Sequence, residues 1–231
     1  MNWNAFFGIA CLICFTLPIA VILFNRYYKH RSLAALLICY MMLCIYLVLS
    51  HGFFGLSKFV IDSIGIFKSF FEVPLMLTAL LFFCPNRQKQ NIIHVITLSF
   101  IAYEVVMTCI HGFKPIAIVY IMGPGYILVL GYAFYLFVKQ VKFSIMHGKN
   151  HGRMFMLASI FFAYACYTLI YYFDSLVKTP FKGDTELLYF ISSIVSSIVM
   201  TVGLHLMRRR MKELQSLKLT RKELALFFGQ S

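Results

Sequence analysis

Seven long apolar stretches alternate with short polar ones along this chain. They cover residues 5–24, 32–50, 63–84, 92–110, 115–138, 154–173 and 186–207. A hydrocarbon layer about 30 Å thick takes about 20 helical residues to cross, and each stretch has roughly that length. The pattern predicts an all-α integral membrane bundle of seven transmembrane helices. Residues 1–207 form the transmembrane domain and residues 208–231 a basic amphipathic tail. The loops are too short for a separate soluble domain. Met1–Asn4 lacks the basic start of a signal peptide, so the first stretch is expected to remain as a helix.

Composition agrees. The chain is 61% hydrophobic and 13% charged, with a mean hydropathy of +0.83. Soluble domains carry about 25% charged residues, and disordered chains carry fewer apolar ones than this. The net charge of +13 would favour nucleic acid in a soluble protein; here topology explains it better, and no nucleic-acid partner is expected. Arg26, Lys29, Arg31, Arg87, Lys89, Lys139, Lys142, Lys149, Arg153 and the basic residues of the tail fall in one set of alternate loops. Only Lys58, Lys68, Lys114, Lys178 and Lys182 fall in the other. Positive residues stay in the cytoplasm. The N-terminus is therefore expected outside and the C-terminus in the cytoplasm, in a membrane read as the bacterial cytoplasmic (inner) membrane.

Ionisable and polar groups within a span usually face protein or a wet cavity. Glu72 in the third span and Glu104 in the fourth, beside Tyr103, occupy similar depths in the outer half. Lys68 precedes Glu72 by one turn and is placed to pair with it, and Pro74 is expected to bend that helix. The fifth span carries Met122-Gly123-Pro124-Gly125-Tyr126, which predicts a kink or a short unwound segment. In the sixth, Tyr164, Tyr167, Tyr171 and Asp174 share one face. In the seventh, Tyr189, Ser193, Ser197, Thr201 and His205 recur every fourth residue, widened by Ser192 and Ser196. Such a stripe faces water or a close helix neighbour. Histidine is the side-chain type suited to carrying or sensing protons, which makes His205 a candidate proton or pH-sensing group.

These residues define a candidate ligand pocket between helices: Glu72, Glu104, Tyr103, Lys68, Gly123, Pro124, Gly125, Tyr167, Tyr171, Ser193 and Ser197. No HExxH, GxSxG or phosphate-binding loop occurs, so catalysis is not expected, nor a cofactor or a structural metal. Cys11 and Cys14 form a CxxC inside an apolar span and are expected to pack as small apolar residues. His51-Gly52-Phe53 and His111-Gly112-Phe113 read as two turns at the outer interface rather than an internal duplication. In the tail, Thr220-Arg221-Lys222-Glu223 has the spacing of a capping box, which predicts a separate short helix. That tail is expected to rest on anionic headgroups or to dock a cytoplasmic protein.

Three functions fit this pattern. A receptor or sensor would bind a small ligand in the outer half and signal to a cytoplasmic partner. A solute or proton-coupled carrier would use the carboxylates and His205. A non-catalytic subunit would belong to a larger membrane complex. The orientation itself is testable: green fluorescent protein fused to the C-terminus is expected to fluoresce and alkaline phosphatase fused there to stay inactive, whereas the opposite pair of results overturns it.

Overall fold

The structure is a computed structural model that describes the backbone of residues 3–50, 57–84, 86–148, 150–177 and 182–228. Seven helices make up the described chain: α1 (Trp3–Phe24), α2 (Arg31–Ser50), α3 (Lys58–Leu80), α4 (Arg87–His111), α5 (Pro115–His147), α6 (His151–Tyr171) and α7 (Lys182–Phe228). No strand occurs among the described residues. All seven are long and apolar enough to cross a membrane, which marks the chain as a multi-pass membrane protein. His51-Gly52-Phe53 lies outside the described residues.

Local chemistry sets the helix ends. Arg26 adopts a left-handed conformation, φ 55°, and turns the chain from α1 into a short 3₁₀ turn, Tyr27–Lys29. The side chain of Asn86 caps α4 by accepting from Gln88 N at 3.1 Å. Pro115 opens α5, where its missing N–H costs nothing. Gly148 closes α5 with φ 59°, and its N–H donates to Ser144 O at 2.8 Å. That left-handed position favours glycine.

The helices form a ring. α1 packs against α2 and α7, α2 against α3, α3 against α5, α5 against α6, and α6 against α7. α4 packs mainly against α3 and α5, outside their seam, and is the least buried span. Its buried residues are Ile93, Phe100 and Glu104, one stripe at helical spacing. Ile96, Tyr103 and Met107 flank that stripe and pack on the core, while Val95, Leu98, Val105 and Ile110 are exposed.

α6 and α7 approach to backbone contact. A Cβ on Gly152 would meet Met207 N at 2.6 Å and Gly203 O at 2.7 Å. A Cβ on Gly203 would meet Met156 N at 2.8 Å and Gly152 O at 2.9 Å. Backbones can approach this closely only where neither residue has a side chain, as membrane helix pairs often arrange. Ser159 Oγ donates across the same interface to Ser196 O at 2.6 Å.

Two expectations about helix continuity are corrected. The unwound segment expected at Gly123-Pro124-Gly125 does not form: α5 runs unbroken through it, because a proline forfeits one hydrogen bond and packing by neighbouring helices retains the rest. α7 runs unbroken for 47 residues, through Thr220-Arg221-Lys222-Glu223. At 1.5 Å per residue it is about 70 Å long, so it passes well beyond a bilayer core. No capping box starts a second helix, since nothing in Arg208–Ser216 breaks the first.

The glycine contact yields a stability test. Gly203→Leu is expected to destabilise the bundle by about 1–3 kcal/mol or more, because the new side chain meets the Met156 side chain and also the backbone of Met156 and Gly152, which cannot give way. Gly131→Leu, where nothing lies within 4 Å of a Cβ, should leave the unfolding midpoint nearly unchanged. Denaturant titration of the purified chain in mixed micelles measures both.

Candidate functional site

The bundle has a distinctive polar centre near the end where α1, α3, α5 and α7 begin, called here the N-terminal end. Lys68 Nζ lies 2.9 Å from Glu72 Oε2, one helical turn apart on α3. Glu72 is only 4% exposed and the Lys68 side chain 13%. Either charge alone would be costly at this depth, and side by side they cancel. From α2, Tyr46 offers its ring face to Lys68, with Nζ 5.4 Å from the centroid.

Tyrosines from three further helices surround the pair. Tyr126 of α5 lies 5.7 Å from Tyr164 and 6.0 Å from Tyr167, both on α6, centroid to centroid. Tyr167 stacks on Tyr189 of α7 at 5.6 Å. Its hydroxyl shares a 3.0 Å hydrogen bond with Ser193 Oγ. Edge-to-face and offset arrangements of this kind fix ring positions as well as burying area.

Two cavities open beside this cluster. One, about 200 Å³, is lined by Tyr46, Asp62, Gly65, Ile66, Lys68, Ser69 and Ile118. The second, about 220 Å³, is lined mainly by Tyr126, Tyr167, Tyr171, Tyr189, Met122, Ile170, Asp174 and Ser175. Ser69 and Ile118 belong to both walls, so the two are neighbouring lobes. A π-helical turn over Tyr172–Val177 ends α6. It places Asp174 and Ser175 on the same wall as Tyr171; such turns often occur at functional sites.

The glycines of α5 are space-makers here. A Cβ on Gly123 would fall 2.6 Å from the Tyr171 ring, so Tyr171 reaches the cavity wall by lying against bare backbone. A Cβ on Gly125 would meet Val73 at 2.7 Å and Phe100 at 2.8 Å, where α3 and α4 close on α5.

The structure brings together Lys68, Glu72, Tyr167, Tyr171 and Gly123. Ser193 supports the wall through Tyr167, and Ser197 is fully buried further along α7. Pro124 sits within the continuous α5. Glu104 stands apart. It is 1% exposed, lines neither cavity and makes no ion pair among the described residues. Its Oε1 has no hydrogen-bond partner among them. The two glutamates therefore do not meet in either cavity, contrary to expectation: Glu72 pairs with Lys68 on α3, and Glu104 is buried on α4. Tyr103 ties α4 to α5, its hydroxyl donating to Tyr120 O at 2.9 Å. His205 is exposed, so the buried polar face of α7 stops short of it, and Met200 and Leu204 fill the interior at that level.

Tyr46, Asp62, Ser69, Ile118 and Tyr126 are wall residues that the sequence reading did not assign to the pocket. Asp62, Ile66 and Ser69 recur at helical spacing on α3, as do Ile118, Met122 and Tyr126 on α5. That periodicity was present to be found, but apolar neighbours on every face masked it.

The ion pair gives a sharp test. Lys68→Met alone leaves a buried carboxylate unpaired and is expected to cost about 3–5 kcal/mol of stability. Lys68→Met with Glu72→Gln should cost less than the single substitution, because both charges leave together. Equal losses in the two variants would show that the pair is not buried as described. No protein-family model, no curated protein and no solved structure matches this chain, so its function is argued from the cavities and the charges around them.

Proposed function

We propose that this chain is a receptor-like or sensor-like, non-catalytic protein of a bacterial cytoplasmic membrane. It holds its N-terminus outside, binds a small ligand in the paired cavities and signals to a cytoplasmic partner at the end of α7. The observation that carries this reading is the origin of the cavity walls. They draw Tyr46 from α2, Lys68 and Ser69 from α3, Ile118 and Tyr126 from α5, Tyr167 and Tyr171 from α6, and Tyr189 from α7. A ligand touching five helices has differential affinity for any two arrangements of them, which is the requirement for biasing the bundle. α7 then supplies the route out, since it runs unbroken from Tyr189 at the cavity to Arg208, Arg209 and Arg210 and on to Phe228.

One observation favours a proton-coupled carrier instead: the buried, unpaired carboxyl of Glu104. Against it, Met200 and Leu204 fill the interior of α7 beyond Ser197 with apolar side chains, so among the described residues its buried polar face ends there.

Two measurements separate these readings. In a Cys109→Ser background, Ser69→Cys is expected to react with a membrane-impermeant methanethiosulfonate in intact cells, because the shared wall opens to outside water. Absence of reaction overturns the outward-facing site. Proteoliposomes of the purified chain are expected to show no proton or solute flux; flux abolished by Glu104→Gln overturns the sensor reading in favour of the carrier.

A further inference from the structure

Resting on that ligand-site reading, we infer that the paired cavities take a small, uncharged molecule with a flat aromatic or unsaturated body and a carbonyl or similar acceptor oxygen, gripped by the ammonium of Lys68.

The acceptor follows from the donors of Lys68. An ammonium carries three N–H donors. Among the described residues, Lys68 Nζ has one carboxylate oxygen within 4 Å, that of Glu72, and one ring face, that of Tyr46. Lys68 also lines the first cavity beside Ser69. Its remaining donor capacity is left for a molecule in that lobe, and a carbonyl oxygen accepts from an ammonium without bringing charge.

The lack of ligand charge follows from the pair itself. Lys68 and Glu72 already neutralise each other, so an ionic ligand at the same depth would leave one charge unbalanced in a low-dielectric setting. Asp62 and Asp174 stand at the mouths, and both are exposed. Solvated carboxylates contribute little towards holding a cation or repelling an anion, so the buried pair decides.

The flat body follows from the second lobe. Tyr126, Tyr167, Tyr171 and Tyr189 come from three helices and present rings to about 220 Å³. A dry cavity on the order of 150 Å³ is enough to admit a benzene ring. Ser69 and Ile118 join this lobe to the one holding Lys68, so one molecule spans both.

A matched set of fluorinated probes tests the class: 4-fluoroacetophenone, 4-fluoroethylbenzene, 4-fluorobenzoate and 4-fluorophenethylammonium. Binding is read by fluorine NMR on the full chain in nanodiscs, referenced to empty nanodiscs to remove lipid partitioning. The ketone is expected to bind about tenfold or more tighter than the hydrocarbon. The advantage should vanish in Lys68→Met/Glu72→Gln, whose unfolding midpoint reports that it is folded. Equal binding of ketone and hydrocarbon overturns the role of Lys68 and leaves the cavity reading standing. Tightest binding by the ammonium or the carboxylate overturns the uncharged class. Binding by none of the four overturns the ligand-site reading, and this inference with it.

Discussion

A charge within a hydrocarbon layer must find its opposite, and this bundle is arranged around one place where that happens. Lys68 and Glu72 stand one turn apart on α3, 2.9 Å between charged atoms. Neither residue is tolerable there without the other. Because the pair is internal to a single helix, it demands no partner across the bundle. The facing helices are free to supply rings and hydroxyls: Tyr46, Tyr126, Tyr164, Tyr167, Tyr189 and Ser193. A membrane protein gains little from apolar contact between helices, since lipid is equally apolar. Packing must do that work, and the glycines show where. Gly152 and Gly203 bring α6 and α7 to backbone contact, and Gly123 and Gly125 let Tyr171, Val73 and Phe100 seat against α5.

Polarity is distributed unevenly along the bundle. Around Tyr126, Tyr167 and Ser193 the interior is wet-compatible and bordered by two cavities. Around Met156, Leu157, Met200 and Leu204 it is apolar and closely filled. α7 belongs to both regions. Its serines mostly bond backward to their own helix, Ser192 to Tyr189 O at 3.0 Å and Ser196 to Ser193 O at 3.1 Å. They cost little there and leave the surface small enough for α6 to approach. The same helix then leaves the bundle as a long basic rod. A change in tyrosine packing at one end is thus mechanically continuous with the charged segment at the other.

Much of the fold was legible in the sequence because the membrane imposes a length. Each of the seven apolar stretches became a helix; α3 and α6 stop a few residues early, at Leu80 and Tyr171, and pass into a 3₁₀ and a π turn, whereas α4 and α5 extend several residues into polar sequence, as far as Arg87 and His147. The i,i+4 spacing of Lys68 and Glu72 was legible for the same reason, since it depends on one helix alone. Relations between helices were not. The sequence suggested a similar depth for Glu72 and Glu104, but depth says nothing about azimuth; Val73 and Phe100 are the residues that meet at Gly125, and α4 lies outside the α3–α5 seam. The Gly-Pro-Gly segment carries the composition of a break, yet the helix continues through it; only its neighbours decide. The π turn at Tyr172–Val177 has no composition signal at all. Exposure of His205 follows from a drift in the inward face of α7 towards Gly203 and Met207, because a strict i+4 stripe slips around a helix of 3.6 residues per turn.

The most direct measurement of the central pair is nitrogen–carbon dipolar recoupling by solid-state NMR, on the full chain in lipid bilayers with labelled lysine side chains and labelled glutamate carboxyls. A bundle organised around Lys68 and Glu72 predicts strong dephasing at the Lys68 Nζ resonance from the Glu72 carboxyl carbon, as befits a 2.9 Å contact between Nζ and Oε2. A Lys68 Nζ signal that no glutamate carboxyl dephases would contradict it.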